Sequence, residues 1–452
     1  MSVAVVLFTS DLRVHDQPVL RAALSGADQV VPLFVRDEGV RAAGFDAPNR
    51  LAFLADCLAS LDAGLRQRGG RLVVRTGDSV DQVCRVVRES GARRVHVAAG
   101  VSRYATAREE RLRTALRGMG CALDVREAVI TALPPGQITP AGGDAFAVFT
   151  PYFRRWSETR LREVLAAPRT VRVPDVVASD PLPRRADAGR VSPGVPEGGE
   201  SVARKRLTAW LADGIEAYED RHDDLPGDAT SRLSPYLHFG CLSPVEAVHR
   251  AREKRGAGAE AFVRQLAWRD FHHQVLAARP EVSWTDYRPR GDHWRSDREE
   301  IAAWREGRTG YPVVDAAMRQ LTHEGWMHNR GRLLVASFLT KTLYVDWRVG
   351  ARHFLDLLVD GDLANNQLNW QWSAGTGTDT RPGRVLNPVT QAARFDPKGD
   401  YVRRWIPELA TVPGNAVHRP WLLPPPDRAQ LPYPPPIVDL AEARDRFARS
   451  RG

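Results

Sequence analysis

The chain has 452 residues, with 64 Lys plus Arg against 55 Asp plus Glu, a formal net charge of +9 and a pI near 9.7. That length accommodates two or three domains, and the basic balance favours a polyanionic partner. Four scattered cysteines (Cys57, Cys84, Cys121, Cys241) form no CxxC pair or metal-spaced cluster, and no segment is apolar over the length a membrane span needs, so a disulfide scaffold, a structural zinc site and a membrane protein are all excluded. The N-terminus MSVAVVLFTSDLR lacks a basic leader, and a cytoplasmic protein is expected.

The first 128 residues alternate between valine-rich runs and amphipathic stretches. Val3–Phe8, Val30–Val35, Leu72–Val74, Val95–Ala98 and Ala122–Val125 read as strands, and Arg50–Arg66 carries leucines at three-to-four spacing. Short apolar strands separated by helices give βαβ units around a parallel sheet covered on both faces. Neither GxGxxG nor GxxxxGK[ST] is present, so the usual pyrophosphate-binding turns are not expected. From residue 129 to 199 prolines are dense, and only Phe149–Leu165 looks helical. This segment reads as an interdomain connector running over the surface with one docked helix.

From residue 200 to 443 everything reads as helix. Leu207, Trp210, Leu211, Ile215 and Tyr218 share one face of its first helix. Further helices are predicted over Val245–Lys254, Ala259–Ala278, Arg298–Glu306, Val313–His323, Arg330–Leu343 and Val349–Leu358, with 444–452 as a short tail. Ten of the twelve tryptophans fall between Trp210 and Trp405, more than a core requires. The expected architecture is therefore an N-terminal Rossmann-like parallel-sheet domain, a long linker and an all-helical C-terminal domain.

One stretch within that helical half stands out. Asp360–Asp379 reads DGDLANNQLNWQWSAGTGTD, crowding aspartates, three asparagines, two glutamines and two tryptophans together. Buried amides and carboxylates are costly without partners, so a large polar ligand is expected here. Thr230, Ser231 and Arg232 stand just before the proline-started turn LSPYLHFG. Hydroxyls and free N–H groups at a helix start suit either a phosphate or simple N-capping.

Taken in order, TSRLSPYLHFG, QLAWRDF, GYPVVDAAMRQL, GWMHNR, DGDLANN, WQW, AGTGTD and RVLNP resemble the DNA photolyase/cryptochrome flavoproteins. The likeness runs from SDLRVHD to YVRRWIPEL and is nearest to bacterial class I photolyases that repair cyclobutane pyrimidine dimers.

That resemblance implies FAD in the helical domain and UV-damaged DNA, with the dimer flipped out of the duplex, as the partner of a monomeric enzyme. Tyr218, Thr230, Ser231, Arg232, Leu233 and Ser234 match positions around the cofactor's phosphates and ribityl chain. Arg269, Asn329, Asp360, Asp362 and Asn366 match those around its two ring systems, with Arg332 and Asp360 as an ion pair under the flavin and Asn366 facing N5. Trp268 and Trp372 match the two tryptophans that stack on the lesion, while Arg330 would track phosphates. Trp370, Trp347 and Trp294 match a chain that carries electrons from the surface to the flavin.

Several positions depart from the family pattern. Gln265 replaces the glutamate common in dimer photolyases, which keeps hydrogen bonding but loses a charge. Leu333 stands where a methionine often touches the dimer, and Gln367–Asn369 replaces glycines in what reads as a turn before Trp370. A photolyase for (6-4) photoproducts would carry histidines at Asn329 and Leu333, and a signalling cryptochrome would often change Asn366 and extend the C-terminus. Neither alternative fits as well. An antenna chromophore is expected in the N-terminal domain near Arg13, Phe34, Arg36 and Asp37, with 8-hydroxy-5-deazaflavin favoured over methenyltetrahydrofolate.

Overall fold

The computed structural model describes residues 1–378 and 381–451. Five strands, β1 Val3–Phe8, β2 Gln29–Asp37, β3 Val73–Gly77, β4 Arg94–Ala98 and β5 Ala122–Arg126, form one parallel sheet in the order β3-β2-β1-β4-β5. Val5 and Leu7 pack towards one layer and Val6 and Phe8 towards the other. Burial on both faces is why these strands read as unbroken apolar runs rather than alternating ones. The Pro48–Arg66 helix covers one face and packs through Phe53 against Tyr236 and Phe239 of the second domain.

The expected surface connector is instead built into the core. Phe146, Phe149, Tyr152, Trp156, Leu161 and Val171 are all buried. The Asp270 carboxylate explains the docking: it accepts Ala132 N, Leu133 N and the Trp156 indole N–H, each at 3.0 Å. Gln274 similarly accepts Phe146 N at 3.0 Å and donates to its carbonyl at 2.9 Å. The connector's helix is shorter than predicted, Phe149–Glu158.

The rest is helical, as expected, with two boundary corrections. The first helix, Glu200–Ala209, runs into a wide π turn at Trp210–Gly214, and Tyr218 opens a separate Tyr218–Arg221 helix. Residues 444–451 are no tail: a helix spans Leu440–Arg451 and docks through Ala443 and Phe447.

The two domains meet tightly. Glu200 accepts Val14 N at 2.7 Å and His15 N at 2.8 Å, and Leu12 N donates to Phe239 O at 3.1 Å. Gly240 holds φ 68°, and a Cβ there would lie 2.1 Å from the Ser10 carbonyl, so only glycine fits. Asn49 Nδ2 donates to Leu357 O at 2.5 Å and Arg50 Nη1 to Leu358 O at 3.0 Å. The sheet domain thereby clamps the chain immediately before Asp360.

Candidate flavin and lesion site

The polar stretch is mostly one helix, Leu363–Ala374. Asp379 lies outside the described residues. Asp362 caps the helix, its Oδ1 accepting Asn365 N and Nδ2 at 2.8 Å each. Burial alone would push the Asp362 carboxyl up, but His273, Arg269 and His238 hold it well below the ordinary carboxylate range. His273 Nε2 sits 3.3 Å from its Oδ2. Just upstream, Arg332 Nη2 donates to both Asp360 oxygens, at 3.1 and 2.8 Å, so the expected ion pair is present.

Helical periodicity then sorts the amides into different jobs. Asn366 Nδ2 donates to Ala351 O at 3.0 Å and Gln367 Oε1 at 2.9 Å. One turn apart, Gln367 and Gln371 face the loop at 282–287 instead. Gln367 Nε2 reaches Ser283 O at 2.7 Å, while Gln371 takes Val282 O at 2.6 Å and accepts Tyr287 N at 2.7 Å. Part of the polar crowding therefore pins a loop rather than facing a ligand. Gln367–Asn369 lies within the helix, so the expected turn before Trp370 does not exist.

Around the second cluster, Leu233 is buried and Ser234 is exposed, accepting the Trp326 indole N–H at 3.2 Å. No side chain caps the first turn of the Ser234–His238 helix; Ser231 Oγ accepts Leu233 N at 3.4 Å, whereas Thr230 has no capping role. Thr230 Oγ1 is buried without a hydrogen-bond partner among the described residues, as is His328 Nε2. Such groups call for a polar partner, and these residues fit a large polar cofactor. Arg232 does not belong to that set. Its Nε holds Asp228 at 2.8 Å, its Nη1 lies 3.2 Å from Glu324, and it lies 4.2 Å over the Trp326 ring. Two carboxylates already neutralise it, so its work is to fix this loop. Tyr218 is buried against Trp210, His222 and Phe262. Arg269 spends its guanidinium on Ile130 O at 2.5 Å and Leu237 O at 3.3 Å, and Asn329 is exposed in the first turn of the Asn329–Ser337 helix.

Three predicted lesion contacts come together. Arg330, Leu333 and Trp372 line one cavity of about 150 Å³, with Lys341, Arg381 and Arg384 adding positive charge. Arg330 is nevertheless paired with Asp223, its Nε at 3.1 Å, and lies 4.3 Å over Phe395, so it is not an unengaged phosphate contact. Gln265 and Trp268 do not line this cavity. Gln265 is exposed, and Trp268 stacks on Phe149 at 3.7 Å and 8°. The protein's own ring therefore fills one face of Trp268. Arg13 also leaves its predicted place. It is fully buried and donates to Asp16 O, Gly240 O and Val129 O at 3.0, 3.0 and 3.1 Å, making it a domain-interface strut. Phe34 is buried and Arg36 exposed at the end of β2, where Asp37 takes Ser79 Oγ at 2.5 Å and the Tyr104 hydroxyl.

The three aligned tryptophans are graded in exposure. Trp370 and Trp347 are buried and Trp294 half-buried. Trp370 sits edge-on to Phe354 at 4.9 Å and to Trp304 at 6.0 Å. Gly350 makes the space: a Cβ there would lie 2.2 Å from the Trp370 ring. Trp347 donates its indole N–H to Asp286 Oδ1 at 2.8 Å, and Arg348, 4.7 Å over the ring, holds the same oxygen at 2.9 Å. Sequence reasoning missed Asp286 because its partner lies 61 residues away.

Residues 4–171 match the model of the DNA photolyase family, and residues 262–451 match that of the FAD binding domain of DNA photolyase. This chain belongs to the DNA photolyase family. It is 70% identical to the deoxyribodipyrimidine photo-lyase of Streptomyces griseus over all of both chains. Among solved structures, a class III photolyase of Agrobacterium tumefaciens superposes with a TM-score of 0.92 at 32% identity, covering 100% of this chain and 97% of the other. An archaeal photolyase of Sulfolobus tokodaii, solved with two FAD molecules, gives 0.88 at 30% identity over 99% of each. FAD is accordingly the cofactor of the helical domain. Among the described residues no cluster could hold a metal ion, and no helix is long and apolar enough to cross a membrane.

Proposed function

We propose that this chain splits cyclobutane pyrimidine dimers in DNA under blue or near-UV light. The observation that carries this reading is full-length 70% identity to a deoxyribodipyrimidine photo-lyase, joined to a helical domain whose buried polar groups suit FAD. When bound and reduced, FAD supplies the light-driven electron that opens the cyclobutane ring and is then returned.

The chain's own residues bind, orient and insulate. Thr230 and Ser231, with Leu233, Ser234 and Tyr218, hold the cofactor's phosphates and ribityl chain. Asp362 stays ionised among His273, Arg269 and His238. With Asp360, Arg332 and Asn329 it frames the ring systems, and Asn366 presents a neutral amide at the flavin edge, a usual lever for tuning a cofactor. Trp372 and the free face of Trp268 stack on the flipped bases. Gln265 hydrogen-bonds them from the helix rim, and Leu333 packs against them. Arg381 and Arg384 set a positive rim for phosphates, backed by buried Lys341, whose Nζ donates to Arg384 O at 2.7 Å, with Arg330 joining if it trades Asp223 for a phosphate. Trp370, Trp347 and Trp294 conduct electrons inward to restore the reduced cofactor.

The protein acts as a cytoplasmic monomer. Its antenna is a deazaflavin held by Phe34, Arg36 and Asp37 without Arg13. The absorption spectrum of the purified native protein tests the cofactor assignment. FAD bands and one releasable FAD per chain are expected, with a strong further visible band marking a deazaflavin and its absence favouring a folate. Protein that binds no flavin even after reconstitution would defeat the reading.

A further inference from the structure

The row of oxidisable rings does not stop at Trp294. Tyr344 lies beside it, ring centroids 5.0 Å apart. Tyr344 is 2% exposed, and its hydroxyl donates to Asp292 Oδ1 at 2.8 Å. The Asp292 side chain is equally sealed, at 1% exposure, and receives Arg451 Nε at 2.8 Å and Nη2 at 2.6 Å. Arg451 also lies 5.8 Å over the Trp294 ring, and Phe447 meets the Tyr344 ring edge-on at 6.1 Å. The C-terminal helix thus closes over both rings.

Backbone geometry adds an independent observation. Tyr344 holds φ 57°, a left-handed conformation that a bulky side chain rarely adopts. Surrounding structure must impose it, and it does so through Arg295 N donating to Tyr344 O at 2.8 Å and the Arg295–Val345 bridge. That same bridge seats Trp294 next to the residues leading into Trp347.

We propose that Tyr344 is the terminal electron donor of this row, oxidised by the Trp294 radical cation as its phenolic proton passes to Asp292. The inference rests on the electron-chain reading of Trp370, Trp347 and Trp294. One electron moves from Tyr344 to Trp294, which returns to a neutral indole. The Tyr344 O–H bond breaks and an O–H bond forms on Asp292 Oδ1. A neutral phenoxyl radical and a neutral carboxylic acid result, and the total charge of the group is unchanged.

The surroundings favour this step. A buried phenol oxidised without losing its proton would become an unsolvated cation, and the existing hydrogen bond removes that cost. Arg451 disfavours a second positive charge on Trp294, and its two hydrogen bonds fix the orientation of the Asp292 carboxylate against the phenol. Burial, then the hydrogen bond to Asp292, raise the Tyr344 phenol above its ordinary pKa, so it carries its proton before the step. Sealed by Phe447, the resulting radical is better shielded from solvent than one on half-exposed Trp294.

Pulsed illumination of the FAD-loaded protein, followed by time-resolved EPR and transient absorption, tests the idea. The longest-lived protein radical should be tyrosyl, its hyperfine pattern collapsing when ring-deuterated tyrosine is incorporated. Tyr344→Phe should leave a tryptophanyl radical that recombines at least about tenfold faster. Asp292→Asn, which cannot take the proton, should slow formation of the tyrosyl signal. A wild-type radical indifferent to tyrosine deuteration, with Tyr344→Phe decaying at the same rate, would overturn the proposal. Trp294→Phe separates the two layers. If it abolishes long-lived radicals while Tyr344→Phe changes nothing, only the tyrosine's role is lost. If it too changes nothing, the electron chain itself is wrong.

Discussion

Trp370 and Trp372 stand two residues apart on one helix and lie in opposite surroundings. At 3.6 residues per turn their side chains point about 200° apart. Trp370 is sealed among Phe354, Trp304 and the bare backbone of Gly350. Trp372 is half-buried and lines a cavity rimmed by Lys341, Arg381 and Arg384. In the proposed mechanism the same residue type would serve as an internal relay on one side of the helix and a stacking surface on the other. Only the register of the helix, fixed by the Asp362 cap, decides which is which.

The largest effect should come from attacking the sealed side. Trp370→Phe should slow photoreduction of oxidised flavin at least about 100-fold, followed as loss of its visible absorption under blue light with an external reductant. Dark affinity for dimer-containing DNA should stay within about twofold of wild type. If both properties fell together, the two sides would not be separate.

The helix's own anchoring is pH-sensitive. His272, whose Nδ1 meets Asn365 Oδ1 at 2.9 Å, is pushed down to about 4 by burial. The unfolded chain therefore binds this proton first. Stability is undiminished above pH 6.5 and lost as pH falls towards 4, by about 2 kcal/mol at pH 5 for this group alone. Denaturant unfolding at pH 7 and pH 5 would measure it together with the like contributions of His238, His328 and His353, which burial also pushes down to about 4, and His272→Gln should shrink the difference by about 2 kcal/mol.

The smallest expected effect lies on the open side. Trp372→Ala should weaken dimer binding by about 1–2 kcal/mol, the usual value of one stacked base, measured by titration in the dark. A loss of photoreduction here as large as in Trp370→Phe would blur the distinction.

Much of this was legible in sequence because it is local. The five strands announce themselves through valine runs, and the helical half through apolar spacing. Asp360, Asp362 and Asn366 fall in one short motif, and the Arg332–Asp360 pair follows from its family match. What sequence misplaced depends on distant partners. Arg13 looks like a ligand contact until two distant carbonyls, Gly240 O and Val129 O, engage it, and Arg232 looks like a phosphate contact until Glu324 arrives from 92 residues on. The connector looked like surface because the Asp270 that holds it lies 138 residues downstream of Ala132. Leu440–Arg451 was missed as a helix because only Ala443 and Phe447 mark its buried side amid charge. Tyr344 and Asp292, 52 residues apart, give no linear signal at all.

The most direct test of the account is a repair assay on DNA carrying cyclobutane pyrimidine dimers, with FAD-loaded, pre-reduced protein held in the dark or under blue light. Dimers should revert to intact pyrimidines only in the light and in proportion to the dose. Equal repair in darkness, or no repair under light despite bound reduced FAD, would contradict it.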